Sequence, residues 1–157
     1  MKITYNKMAA NKLINEIGAT PEMLVQILNA FVEKFSYISK EAIRHIAHEL
    51  NLSRADVHGV VSYYHDHRTE PPGKCLIKIC QAESCQAMGS ISLTAHAEDL
   101  LGIQLKETSA DGEITLEPVY CLGNCACSPA IMIDKRIYGR VNPERFDALI
   151  ASIQKQN

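Results

Sequence analysis

The sequence predicts an α+β protein in two parts, an N-terminal helical bundle over residues 1–70 followed by an α/β domain over residues 74–157. Three observations predict it. From Leu24 to Tyr64 the apolar residues recur at helical spacing. Glu70-Pro71-Pro72-Gly73 then sets two prolines and a glycine in succession, which stops a helix and makes a short, stiff connector. From Lys74 onward, strand-like runs alternate with helical ones.

Residues 1–18 are polar and weakly patterned, with Leu13, Ile14 and Ile17 marking a short helix that ends at Gly18. Thr20 is placed to cap the next helix and Pro21 suits its first turn, while Leu24, Ile27, Leu28, Phe31 and Phe35 form its apolar stripe. Ser39 caps a further amphipathic run with Ile43, Ile46, Ala47 and Leu50 on the buried side and Arg44, His45, His48 and Glu49 mostly off it; Asn51 closes it. Ser53, with Asp56 three residues later, reads as a capping box opening a helix through Val57, Val60 and Val61. In the second part, Lys74 to Ile79 reads as a strand, Ser90 caps a helix carrying Leu93, Ala97, Leu100 and Leu101, and ITLEPVY is a strand whose Pro118 suits a sheet edge. AIMID and RIYGRV make a hairpin through Lys135. Pro143 starts a last helix with Phe146, Leu149, Ile150 and Ile153.

Chemistry concentrates between Cys80 and Cys127. CQAESC and, thirty-five residues on, CLGNCAC give a C-x4-C pair and a C-x3-C pair with a third thiol two residues later. Thiolates are soft anionic ligands, and four of them close a tetrahedral zinc site or hold both irons of a 2Fe-2S cluster. Cys80, Cys85, Cys121 and Cys125 make four. Structural zinc usually takes tighter C-x2-C knuckles, so these longer loops favour the cluster while leaving zinc open. Gly123 and Asn124 are residue types that accept a left-handed backbone, which turns Cys121 and Cys125 toward one centre.

Other functions fit less well. The opening MKITYNKMAANK has no apolar signal segment, so six cysteines point to a reducing, cytoplasmic setting in place of a disulfide framework. A catalytic thiol lacks a C-x-x-C motif and a basic neighbour inside either cysteine loop. A net charge of −2, a pI near 6.3 and 6% aromatic residues offer neither a basic patch nor a stacking platform for nucleic acid. Residues 41–64 have the outline of a helix-turn-helix, which would suit an iron-sulfur DNA-binding regulator, yet residues 54–64 carry Arg54 as their one permanent cation. His45 with His48, and His65 with His67 around Asp66, suggest metal ligands only weakly, because isolated histidines are usually surface or packed core residues. No apolar run approaches the ~20 residues that span a bilayer, and no G-x-G-x-x-G or Walker sequence supports nucleotide binding by this chain.

CQAESCQAMGS followed by CLGNCACSPAIMID resembles the 24-kDa-type 2Fe-2S subunit family of NADH:quinone oxidoreductase, thioredoxin-like ferredoxins with relatives in NAD-linked formate dehydrogenases and hydrogenases. GVVSYYHDHR also resembles the segment that ends the helical region of that family, so the likeness covers nearly the whole chain. It implies a thioredoxin-like ferredoxin domain over 74–157, one 2Fe-2S cluster on Cys80, Cys85, Cys121 and Cys125, and a bystander role for Cys127. Cys75, within a strand, reads as a small buried thiol. The resemblance further implies an electron-carrier subunit of a larger oxidoreductase, packed against a flavoprotein partner that holds FMN and meets NAD(H), with no nucleic acid and no direct membrane insertion. The H-D-x-R ending at His65-Asp66-His67-Arg68 is most similar to the gamma subunit of soluble NAD-dependent formate dehydrogenase, ahead of the respiratory enzyme and NAD-reducing hydrogenase.

Overall fold

A computed structural model describes residues 5–154, so the outermost residues of both expected domains, 1–4 and 155–157, lie outside the described residues. The chain divides between Pro71 and Pro72 into two compact units.

Among its described residues the first unit contains four α-helices: α1 (Lys7–Ile17), α2 (Leu24–Phe35), α3 (Lys40–Glu49) and α4 (Arg54–Tyr63). Asn6 caps α1 by accepting the amides of Met8 and Ala9, and Gly18 closes it with a φ of 116° that a side chain would resist. Thr20 makes no side-chain cap. Pro21–Met23 instead winds a 3-10 turn, in which the Met23 amide bonds the Thr20 carbonyl at 3.0 Å, and the α-helix begins at Leu24. Leu24, Ile27, Leu28, Phe31 and Phe35 are all buried, each worth about 1.5–3 kcal/mol as apolar side chains leaving water. Ser39 caps α3 through the Ala42 amide, and Ser53 and Asp56 close a reciprocal capping box on α4.

His45 corrects the expected polar face of α3. It is buried, because Tyr5 and α1 lie over that side of the helix: Nδ1 meets the Tyr5 hydroxyl at 2.7 Å and Nε2 meets Asn11 Oδ1 at 2.5 Å. Burial holds its pKa below the ordinary value, despite the opposing charge of Glu49. His48 points to solvent, so the two histidines do not converge on a metal.

The second unit holds a four-stranded sheet in the order β2-β1-β3-β4, built from β1 (Cys75–Cys80), β2 (Ile114–Val119), β3 (Ile131–Ile133) and β4 (Arg136–Tyr138). β1 runs parallel to β2 and antiparallel to β3, and β3 and β4 form the expected hairpin. Pro118 lies in the edge strand β2, where its missing amide disturbs the sheet least. Between β1 and β2 come a short helix α5 (Glu83–Ala87) and a longer α6 (Ser90–Leu101), and α7 (Pro143–Gln154) ends the described chain. Leu93 and Ala97 of α6 and Phe146 and Ile150 of α7 share one core with Ile77, Ile79 and Leu116 of the sheet. Ser90 is the first helical residue, not the cap: Gly89, at φ 98°, holds the cap position and Ser90 is wholly buried. Cys75 packs in this core. Among the described residues, no helix is long and apolar enough to cross a membrane.

Candidate metal centre

The register of β1 and β2 builds the site. Cys80 pairs with Val119, so two parallel strands finish side by side, and the chain leaves both at the same end of the sheet. Gln81 extends the ladder with an amide bond of 2.7 Å to the Val119 carbonyl. Cys80 therefore ends β1, Cys85 sits five residues on in α5, Cys121 lies just past β2, and Cys125 opens a 3-10 turn over Cys125–Cys127. Two segments far apart in sequence bring their thiols together.

The pairs differ in exposure. Cys80 and Cys85 are each 2% exposed and pack with Ala130, Ala82, Val119 and Leu122, whereas Cys121 and Cys125 face solvent. The Cys121 and Cys125 sulfurs stand 3.7 Å apart, and the Gly123 amide donates to Cys121 Sγ at 3.3 Å. Gly123 has the left-handed backbone expected of it, at φ 71°, but its partner in that conformation is Cys121 itself at φ 101°; Asn124 stays at −114°. The turn of the loop is carried by the cysteine, at a conformational cost that persists only where the surroundings hold it.

The thiols feel one another. Burial raises the Cys80 pKa, assisted by its hydrogen bond to Cys85 and opposed by the amides of Ala82 and Cys121. Cys85 suffers burial too, yet its hydrogen bonds to Ser128, Cys80 and the Ala130 amide outweigh it and bring the pKa down. Cys125 is pushed up by its hydrogen bond to Cys121 and by the charge of that neighbour, with further contributions from burial, Cys85 and Cys80. Cys80 and Cys125 resist ionising, so a set of thiolates that includes them is stable only around positive charge, which is what a metal centre supplies.

Among the described residues, no three His, Cys, Asp or Glu side chains are already gathered at metal-binding separation. The cysteines instead stand as two pairs, which matches a 2Fe-2S cluster in which each iron takes two protein ligands.

Cys127 belongs to the framework of the second loop. Its amide bonds the Asn124 carbonyl at 2.9 Å, its carbonyl accepts the Arg140 amide at 2.6 Å, and a Cβ on Gly139 would come within 2.6 Å of its own Cβ. Two residues that the cysteine spacing does not single out also belong to the site. The buried Ser128 hydroxyl lies 2.9 Å from the Cys125 carbonyl oxygen, 2.9 Å from Ser84 Oγ and 3.4 Å from Cys85 Sγ, so it touches both cysteine loops. Hydroxyls inside or beside both loops are the available signal. The histidines lie elsewhere: His67 is buried in the first unit, bonded to Asn29 at 2.9 Å, while His65 is exposed, so the pair around Asp66 is not a common ligand set.

A model of the thioredoxin-like [2Fe-2S] ferredoxin family matches residues 10–154. The chain belongs to this family. A thioredoxin-like ferredoxin carries a 2Fe-2S cluster, the cofactor that the donor set fits. A NADH-quinone oxidoreductase subunit of Pseudomonas aeruginosa is 35% identical over 126 residues, 80% of this chain and 76% of that protein. The HndA subunit of the NADP-reducing hydrogenase of Solidesulfovibrio fructosivorans is 28% identical over 128 residues, covering 82% and 75%. The fold of this ferredoxin also superposes on a crystal structure of NAD+-reducing [NiFe]-hydrogenase in the H2-reduced state, with a TM-score of 0.73 and 25% identity, over 89% of this chain but only 23% of that one. The relatives are subunits of NAD(P)-linked oxidoreductases, and electron transfer is the coarse function they share.

Proposed function

We propose that Cys80, Cys85, Cys121 and Cys125 hold the cluster and that this chain is the one-electron carrier subunit of an NAD-linked oxidoreductase complex, exchanging electrons with the FMN of a flavoprotein partner. The observation that carries the reading is the pairwise convergence of four thiols at the ends of β1 and β2, one pair buried and one pair exposed. The cluster, when bound, supplies reversible transfer of one electron at a time. The chain does the rest. Cys80 and Cys85 anchor the inner side behind Ala130, Val119 and Leu122, which keep water from it. Cys121 and Cys125 face outward, the side from which an electron partner can approach. Amides of Ala82, Cys121, Gly123 and Ala130 point at sulfur and offset its negative charge. The helical unit then serves to dock the partner; its exposed Tyr63 and Tyr64 are side chains of the kind that interfaces bury.

Within that class we assign formate dehydrogenase. His65-Asp66-His67-Arg68 supports it, against the NADH-quinone oxidoreductase and hydrogenase roles of the relatives. Purification of the native chain with its partners tests both levels. A flavoprotein that binds NAD(H) should accompany it, together with a large molybdenum- or tungsten-containing subunit. Membrane-embedded proton-pumping subunits in place of that large subunit would move the chain to the respiratory enzyme, and salt-sensitive, sequence-specific duplex binding without a flavoprotein would replace the carrier role by a regulator's.

A further inference from the structure

Three groups meet the hydroxyl of Ser128: the Cys125 carbonyl, the Ser84 hydroxyl and the Cys85 sulfur. Ser128 is only 6% exposed, so water does not readily substitute for any of them. With the thiols protonated, one arrangement of the hydrogens satisfies the set. Cys85 donates its S–H to Ser128 Oγ, and Ser128 donates its O–H to the Cys125 carbonyl, to which the Ser84 hydroxyl also donates at 3.2 Å.

Metal ligation removes one hydrogen from this set. A ligating cysteine is a thiolate, so the Cys85 proton goes to solvent and its sulfur becomes an acceptor only. Two acceptors, Cys85 Sγ and the Cys125 carbonyl, then face two hydroxyl donors, and one arrangement serves both. Ser84 keeps the carbonyl while the Ser128 hydrogen rotates to the sulfur; no bond other than hydrogen bonds changes. We infer that Ser128 is a positioning residue that donates a hydrogen bond to the ligated Cys85 sulfur and raises the reduction potential of the cluster, with Ser84 freeing it to do so. The inference rests on the ligand assignment proposed above. Its physical basis is that a hydrogen bond to sulfur offsets the negative charge gained on reduction, so the reduced form benefits more.

The test is a redox titration of the full chain followed by electron paramagnetic resonance, for the wild type and for Ser128→Ala, Ser128→Thr, Ser84→Ala and the double alanine variant. Ser128→Ala should shift the one-electron equilibrium about tenfold toward the oxidised form, a fall of ~59 mV. Ser128→Thr keeps a hydroxyl and should stay near the wild type. Ser84→Ala should shift it in the same direction by less, because the Cys125 carbonyl recaptures the Ser128 hydrogen, and the double variant should go no lower than Ser128→Ala. Exchange into D2O should move the iron-sulfur stretching bands of the wild type more than those of Ser128→Ala. An unchanged potential and unchanged deuterium response in Ser128→Ala would overturn the inference; if that variant holds no cluster, a wild-type potential in Ser84→Ala overturns it instead. A wild-type chain that takes zinc in place of iron contradicts the ligand assignment, an outcome distinct from a normal 2Fe-2S cluster whose potential ignores both serines.

Discussion

The two cysteine pairs solve the same problem from opposite sides. Cys80 and Cys85 are buried, one ending a strand hydrogen-bonded to neighbours on either side and the other in a short helix, with apolar residues behind them. Cys121 and Cys125 sit on an exposed loop whose shape depends on left-handed residues and on Gly139, the residue that follows β4 and backs the loop. Insulation comes from the first pair and access from the second. A site that must hold charge in a dry setting yet pass an electron to another protein needs that asymmetry, and two separate chain segments provide it more easily than one.

Serine replacements probe the comparison hardest. Cys80→Ser, Cys85→Ser, Cys121→Ser and Cys125→Ser should each abolish the native visible spectrum, since each removes one of the four proposed ligands. The buried pair should also destabilise the apoprotein by about 1–3 kcal/mol, as a hydroxyl placed among apolar groups is hard to satisfy; the exposed pair should leave its melting midpoint nearly unchanged. Cys75→Ser and Cys127→Ser should retain iron. Removal of the metal by chelation should separate the pairs dynamically: amides from 121 to 127 should exchange with deuterium at least tenfold faster, while those of β1, held in the sheet between two strands, change little.

Gly139→Ala acts on the second loop without touching a ligand. Its Cβ would fall 2.6 Å from Cys127 Cβ and 2.8 Å from the Cys127 carbonyl oxygen, and overpacking of this kind costs about 1–3 kcal/mol. Reduced iron content and altered resonance g-values are expected, with circular dichroism of the sheet preserved. The smallest effect belongs to Gly123→Ala, where nothing lies within 4 Å but φ is 71°, so only conformational strain of about 1 kcal/mol applies. The cluster should survive and the melting midpoint of the loop-bearing unit should fall slightly.

What is legible in the sequence is local. The stripe from Leu24 to Phe35 and the Ser53–Asp56 capping box depend on residues within a few positions of each other, and both occur as read. The cysteine spacing points to a soft metal centre for the same reason. What is hidden depends on distant partners or on segments too short to show a period. Helix α5 has five residues, fewer than two turns, so no periodicity could reveal it. His45 looks polar in the sequence because the residues that cover it, Tyr5 and Asn11, lie 40 and 34 positions away. Ser84 and Ser128 are separated by 44 residues and meet only because the cysteine loops leave the same end of the sheet. Residue type places the left-handed turn on Asn124, which commonly adopts it, whereas the loop puts it on Cys121.

The most direct measurement is metal analysis of the anaerobically purified full chain combined with electron paramagnetic resonance after one-electron reduction. A 2Fe-2S cluster on the four cysteines requires about two irons and two sulfides per chain, no stoichiometric zinc, and a single spin-half signal that is absent from the oxidised protein. A colourless protein with one zinc per chain, or one that keeps its two irons after Cys121→Ser and Cys125→Ser together, would contradict it.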